Sequence, residues 1–289
     1  MTTETQEITE ENTSRWIEAG GMRVHYHDVG SGPPMIMLHA VGPGGVTAWV
    51  TFKKVLPALS KHFRCIAMDM PNFAKSGPYP YTEPVHNLQA RTAAALMDAL
   101  GIQKAILLGN SQGGQSAMVF ASHYPDRVEK LVFGACHIVT GADTYLFANT
   151  RRGARFPDLP RPARPEPSRD AIRAELPNYI DNPDMVDDDL VEYLYQMEIG
   201  RPDLQEARAK STSTYYDHAE DIKNIRMPTL IMWGRYDRIC PVEVGVKCMN
   251  HIPTSRLVVI NDCGHWITWE KPEEWTAYVL DFLLNDWPS

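Results

Sequence analysis

One serine, one aspartate and one histidine of this chain stand in an order and spacing that suit nucleophilic hydrolysis. The segment Gly109-Asn110-Ser111-Gln112-Gly113-Gly114 has the form G-x-S-x-G, between an apolar run, Ala105–Leu108, and a helix-like stretch, Gln112–His123. The turn is tight enough that a Cβ at either glycine would meet backbone. It raises the serine hydroxyl above the strand end and points the next helix's N-terminus at the same spot, where developing negative charge is favoured. Alone, such a motif is common.

The remaining parts give it weight. A hydroxyl attacking a carbonyl needs a base, a group that orients the base, and donors for the oxyanion. Asp237 follows the apolar run Thr229–Trp233, in Gly234-Arg235-Tyr236-Asp237-Arg238. His265 follows Leu257–Ile260, in Asp262-Cys263-Gly264-His265-Trp266. The backbone amides of Gln112 and of Val41, in His39-Ala40-Val41-Gly42-Pro43-Gly44-Gly45, are the candidate oxyanion donors. An isolated loop aspartate is usually solvated, a lone histidine usually structural, and a glycine-rich loop often just a turn over a packed His39. Together, at the C-terminal ends of strands, they form a candidate site.

To bring these residues together the chain must build a sheet. Strands are predicted at Trp16–Ala19, Arg23–Asp28, Met35–His39, Cys65–Asp69, Ala105–Leu108, Lys130–Phe133, Thr229–Trp233 and Leu257–Ile260. Helices are predicted at Val50–Ser60, Val85–Leu100, Gln112–His123 and Pro272–Asn285. The alternation predicts an α/β fold with a mostly parallel, doubly wound sheet. The first two strands, joined through Gly20-Gly21, read as an antiparallel hairpin. Regularity fails between about 137 and 217, where Arg151, Arg152, Arg155, Arg161 and Arg164 mix with five prolines. A segment this long between two sheet strands reads as an inserted, mainly helical cap that excludes water and shapes the pocket. The division expected is a flexible, acidic arm over 1–14, a core over 15–136 and 218–289, and a cap over 137–217.

Composition narrows the partners. The chain has 289 residues and a net charge of −8, which argues against nucleic acid or an anionic membrane. It shows neither a membrane-span pattern nor a signal-peptide pattern. Five scattered cysteines, Cys65, Cys136, Cys240, Cys248 and Cys263, fit neither a disulfide framework nor a zinc site, and point to a reducing cytoplasm. Cys263 reads as a small buried filler rather than a thiol nucleophile. Gly42-Pro43-Gly44-Gly45 lacks the lysine and spacing of a phosphate loop, and no His/Asp/Glu spacing suggests a metal. No cofactor is implied; a small-molecule substrate is.

From about Val24 to Leu284 the chain resembles the α/β-hydrolase superfamily, and within it the meta-cleavage product hydrolases. The marks are His39-x-x-Gly42-Pro43-Gly44, Asp69-x-Pro71-x-Phe73-x-Lys75-Ser76, Gly109-Asn110-Ser111, Gly234-Arg235-x-Asp237-Arg238 and Cys263-Gly264-His265-Trp266. The resemblance implies hydrolysis of a carbon–carbon bond in ring-opened aromatic compounds. It implies Ser111, Asp237 and His265 as triad, a pocket that includes Gly42, Asn110 and Trp266, and a homodimer. In two places the chain departs from the family. The arginine that typically holds the dienoate carboxylate falls on Leu194, and a pocket asparagine falls on Thr51. Loss of a charge-assisted contact weakens binding by roughly one to three powers of ten.

Three readings follow. The first is a serine esterase for a small aromatic or alkyl ester, with Leu194 as an apolar wall and the arginines of 151–164 as a substitute clamp for a half-ester. The second is true carbon–carbon hydrolysis. The third is a hydrolase-fold binding protein of low turnover, which the intact triad disfavours. Dehalogenase and epoxide-hydrolase chemistry would need a carboxylate where Ser111 stands.

Overall fold

The computed structural model describes residues 7–138 and 166–285. Eight strands form one sheet: β1 (Ser14–Ala19), β2 (Met22–Val29), β3 (Pro34–Leu38), β4 (Arg64–Met68), β5 (Ala105–Asn110), β6 (Val128–Gly134), β7 (Thr229–Gly234) and β8 (Ser255–Ile260). Their order is β1-β2-β4-β3-β5-β6-β7-β8. β1 and β2 pair antiparallel, as do β2 and β4; all other neighbours are parallel. The hairpin turns at Gly20 and Gly21, both at positive φ, with Ala19 opposite Met22.

Strand alternation builds two cores. Ile36, Leu38, Ile66, Met68 and Leu107 point to one face, and Met35, Met37, Cys65, Ala67, Ile106 and Leu108 to the other. The described helices are α1 (Glu10–Thr13), α2 (Ala48–Phe52), α3 (Leu56–Leu59), α4 (Val85–Ala99), α5 (Gln112–His123), α6 (Arg169–Glu175), α7 (Asp188–Ile199), α8 (Pro202–Ala209), α9 (Val242–His251), α10 (Ile267–Glu270) and α11 (Pro272–Leu284). α4, α5 and α9 cover the first face. α2, α3 and α11 cover the second.

Three local differences from expectation have simple causes. The helix predicted over Val50–Ser60 is two short ones: α2 starts earlier, where Thr47 Oγ1 accepts from Val50 N at 3.0 Å, and α3 restarts around Pro57. Within the expected flexible arm, Thr9 and Asn12 cap each other reciprocally to hold α1, and Thr13 Oγ1 lies 2.8 Å from His27 Nδ1. α9 escaped prediction because Val242, Val244 and Val246 alternate like a strand and Gly245 interrupts them. A Cβ on Gly245 would lie 2.8 Å from the Trp233 ring, so close packing of α9 on β7 requires the glycine.

The inserted segment leaves and rejoins the core at one point, where His218 N donates to Ile138 O at 3.2 Å. Its described part packs on the loops at the strand ends through a third apolar cluster. Ile172, Leu176, Ile180, Leu190, Val191 and Leu194 meet Ala40, Val46, Val50, Trp266 and Trp269 there. The arginines from Arg151 to Arg164 lie outside the described residues. No described helix is long and apolar enough to cross a membrane.

Candidate active site

Ser111 follows the last residue of β5 and precedes α5, with φ 58° and ψ −125°. For a non-glycine residue that conformation costs about 1–3 kcal/mol and persists only where the surroundings enforce it. Three glycines provide the room. A Cβ on Gly109 would lie 2.2 Å from Gly113 O, one on Gly113 would lie 2.1 Å from Leu38 O, and one on Gly114 would lie 2.7 Å from Gly134 O. Ser111 N donates to Gly134 O at 2.9 Å, tying the turn to β6.

Asp237 and His265 lie past the ends of β7 and β8, and the sheet brings both to Ser111. Ser111 Oγ is 2.8 Å from His265 Nε2. His265 Nδ1 is 2.8 Å from Asp237 Oδ2 and 3.0 Å from Oδ1. Both side chains of that pair are fully buried. Asp237 Oδ1 also accepts from Ile239 N and Cys240 N, each at 2.8 Å, so the carboxylate is held in place before it meets the imidazole. The carboxylate favours Nδ1–H, which leaves Nε2 free to accept the serine proton.

The oxyanion loop hangs on His39. Its Nδ1–H donates to Ala40 O at 2.6 Å and Nε2 accepts from Met70 N at 3.0 Å, so the neutral tautomer is defined. Burial keeps His39 below the usual histidine range. Gly113 N donates to His39 O at 3.1 Å, binding this loop to the serine turn. The amides of Val41 and Gln112 have no hydrogen-bond acceptor among the described residues, so both remain available to an oxyanion.

The predicted pocket residues divide. Asn110 is buried, with Nδ2 3.5 Å from His265 O. Gly42 lies against Trp266, where a Cβ would come within 2.9 Å of Cζ2. Trp266 Nε1 is buried without a hydrogen-bond partner among the described residues. Leu194 is different. It is 0% exposed, packs in the third apolar cluster, and its carbonyl accepts from Gly45 N at 2.9 Å. That hydrogen bond ties α7 to the loop that follows β3. Thr51 is also committed elsewhere: its hydroxyl donates to Thr47 O at 3.0 Å.

Sequence reasoning missed Tyr179 and Glu270. Tyr179 packs its ring on His265 and Trp266, with centroids 5.5 and 5.7 Å apart. Glu270 is a buried carboxylate between two loops. Nothing in the sequence separates Glu270 from the exposed Glu273 and Glu274 beside it. Arg238, next to Asp237, reaches Asp181 Oδ1 at 2.6 Å and Pro177 O at 3.0 Å. The described arginines of the inserted segment pair with acids: Arg169 with Glu192, Arg173 with Asp188, Arg201 with Asp203, and Arg208 with Glu198. Burial pushes the Cys263 thiol up, which disfavours a thiolate. No group of three or more described His, Cys, Asp or Glu residues is arranged to hold a metal ion.

Comparison with known proteins agrees with this architecture. The chain is 32% identical over 291 residues to a 2-hydroxy-6-oxononadienedioate/2-hydroxy-6-oxononatrienedioate hydrolase of Burkholderia vietnamiensis, covering 97% of this chain and 99% of the relative. It is 33% identical over 286 residues to a 2-hydroxy-6-oxo-2,4-heptadienoate hydrolase of Pseudomonas putida, covering 94% and 96%. Its structure is similar to that of a meta-cleavage product hydrolase from Pseudomonas fluorescens, with a TM-score of 0.77, 29% identity, and 93% and 97% of the two chains covered. The pattern of the alpha/beta hydrolase fold family matches residues 33–272. The chain is thus a hydrolase that belongs to the α/β-hydrolase family and resembles, nearly end to end, its meta-cleavage product hydrolases.

Proposed function

We propose that this protein hydrolyses a carbon–carbon bond of a ring-opened 2-hydroxy-6-oxo-dienoate through an acyl-enzyme on Ser111. The observation that carries the reading is the Ser111–His265–Asp237 hydrogen-bond chain on a scaffold that keeps full-length likeness to hydrolases named for such substrates. That likeness reverses the order of readings drawn from the sequence, where the ester came first.

His265 takes the proton of Ser111 as Oγ attacks the ketone carbon, and the Val41 and Gln112 amides hold the oxyanion. Once the 2-enol has become a ketone by moving its proton to C5, the C5–C6 bond breaks, its electron pair delocalises onto the C2 oxygen, and the dienolate so formed takes the proton from His265. Water then cleaves the acyl-enzyme, with His265 as base. The Trp266 Nε1–H, which has no partner among the described residues and lies on the ring beside Gly42, is a donor for a substrate oxygen, and Asn110 supplies another. In this reading residues 137–217 act as a cap, and Ser111 stands beneath it. We place the protein in the cytoplasm, a proposal that the five free, buried cysteines support.

The esterase reading retains one specific support. The position where the resemblance implies a carboxylate-binding arginine carries the buried Leu194, and the described arginines of the inserted segment are already paired. Steady-state kinetics on 2-hydroxy-6-oxononadienedioate, 2-hydroxy-6-oxo-2,4-heptadienoate, p-nitrophenyl esters and aromatic half-esters decides between them. A higher kcat/KM for a dienoate than for every ester is expected. The reverse order makes the protein an esterase.

A further inference from the structure

We propose that Glu270 is a positioning residue: its carboxylate clasps the inserted segment at Asp181 and Asn182 to the loop that carries His265, so that seating this segment aligns the imidazole with Ser111. The proposal rests on Ser111 being the nucleophile. Glu270 ends α10 and is 4% exposed. Its Oε1 accepts from Gly264 N at 2.8 Å, the residue before His265. Its Oε2 accepts from Asp181 N at 2.8 Å and Asn182 N at 3.2 Å. The two sides meet again at Tyr179, whose carbonyl accepts from His265 N at 2.8 Å and Trp266 N at 3.0 Å.

Gly264 shows how close this contact is. A Cβ there would lie 2.9 Å from Glu270 Oε1 and 3.0 Å from both Asp181 N and Tyr179 O. Burial raises the pKa of Glu270, while the three backbone N–H groups oppose the rise. A carboxylate buried at such a cost joins two segments because each oxygen serves a different one. Glutamine cannot replace it: its amide nitrogen would face the N–H of one segment or the other.

Phosphorylation of Ser111 by diethyl p-nitrophenyl phosphate, which releases p-nitrophenolate, reads the serine–imidazole alignment without the natural substrate. Glu270→Gln should slow this labelling by at least about tenfold, since small misplacements of reacting groups are costly. It should lower kcat for a p-nitrophenyl ester far more than it changes KM. The far-UV CD spectrum and thermal midpoint should stay near wild type, because the substitution also removes a buried charge. Gly264→Ala, which keeps Glu270 but wedges the clasp, should act in the same direction and carries the decision if Glu270→Gln does not fold. A folded variant of either kind that labels within about twofold of wild type overturns the proposal. A wild-type chain that resists labelling at Ser111 removes the nucleophile reading, and this proposal with it.

Discussion

Asp237 shows how much of this site depends on hydrogen-bond direction. With Ile239 N and Cys240 N on Oδ1, an asparagine at 237 would keep its oxygen there and turn its NH2 toward His265 Nδ1. The imidazole would then carry its proton on Nε2, facing Ser111, and could not act as base. Asp237→Asn should therefore lower kcat by several powers of ten, about 10⁴ being the loss for the same exchange in a serine protease, with little loss of stability. Steady-state kinetics checks this, and activity within about tenfold of wild type would refute the role of Asp237. Ser111→Ala should remove nearly all turnover yet keep dienoate binding, measurable by the bound substrate's absorbance.

Among elements, the serine turn and the oxyanion loop are one unit, since Gly113 sits against the carbonyls of Leu38 and His39. Gly113→Ala would bring a Cβ within 2.1 Å of one and 2.5 Å of the other. It should destabilise the fold by about 1–3 kcal/mol or more and abolish activity together. Gly101→Ala is the control. It meets nothing within 4 Å, and only its φ of +69° resists, for a loss of about 1 kcal/mol. Urea denaturation of the two variants tests the contrast; equal losses would mean that the turn tolerates crowding. Legibility follows the same line. Eight strands were readable because a sheet covered on both faces turns its strands into short apolar runs. α9 was not, because its Gly245 answers to Trp233 on another element, and α1 was hidden among polar residues despite the Thr9/Asn12 cap.

Across the whole molecule, buried histidines set the response to acid. Burial lowers the pKa of His27 to about 4 and of His86 to about 3, and also lowers His39 and His218, against 6.5 for an ordinary histidine. Below about pH 6.5 the unfolded chain takes up protons that these side chains refuse in the folded state, so stability falls as pH drops toward 4. Glu270, raised by burial, works in the opposite direction, but it is one group against four. Urea midpoints should fall steadily from pH 7 to pH 5, with uptake of about two to four protons on unfolding at the lower pH. A midpoint that is flat or rises over that range would show that the histidines are accessible to protons in the folded state.

The sequence by itself determined what is local: the short apolar strand runs, the glycines around Ser111, and the order Ser111, Asp237, His265 after strand ends. Those features need only neighbouring residues, and the parallel sheet converts chain order into proximity. The tertiary structure alone decided how distant side chains are used. Leu194 packs with Ala40, Val46 and Trp266, because a helix residue's neighbours depend on how the helix docks. Glu270, one acid among several near the C-terminus, is buried because Gly264 leaves room for it and Asp181 and Asn182 close over it. Hydrogen bonds across 88 and 89 residues of chain leave no periodic trace, since backbone N–H donors are the same for every residue type but proline.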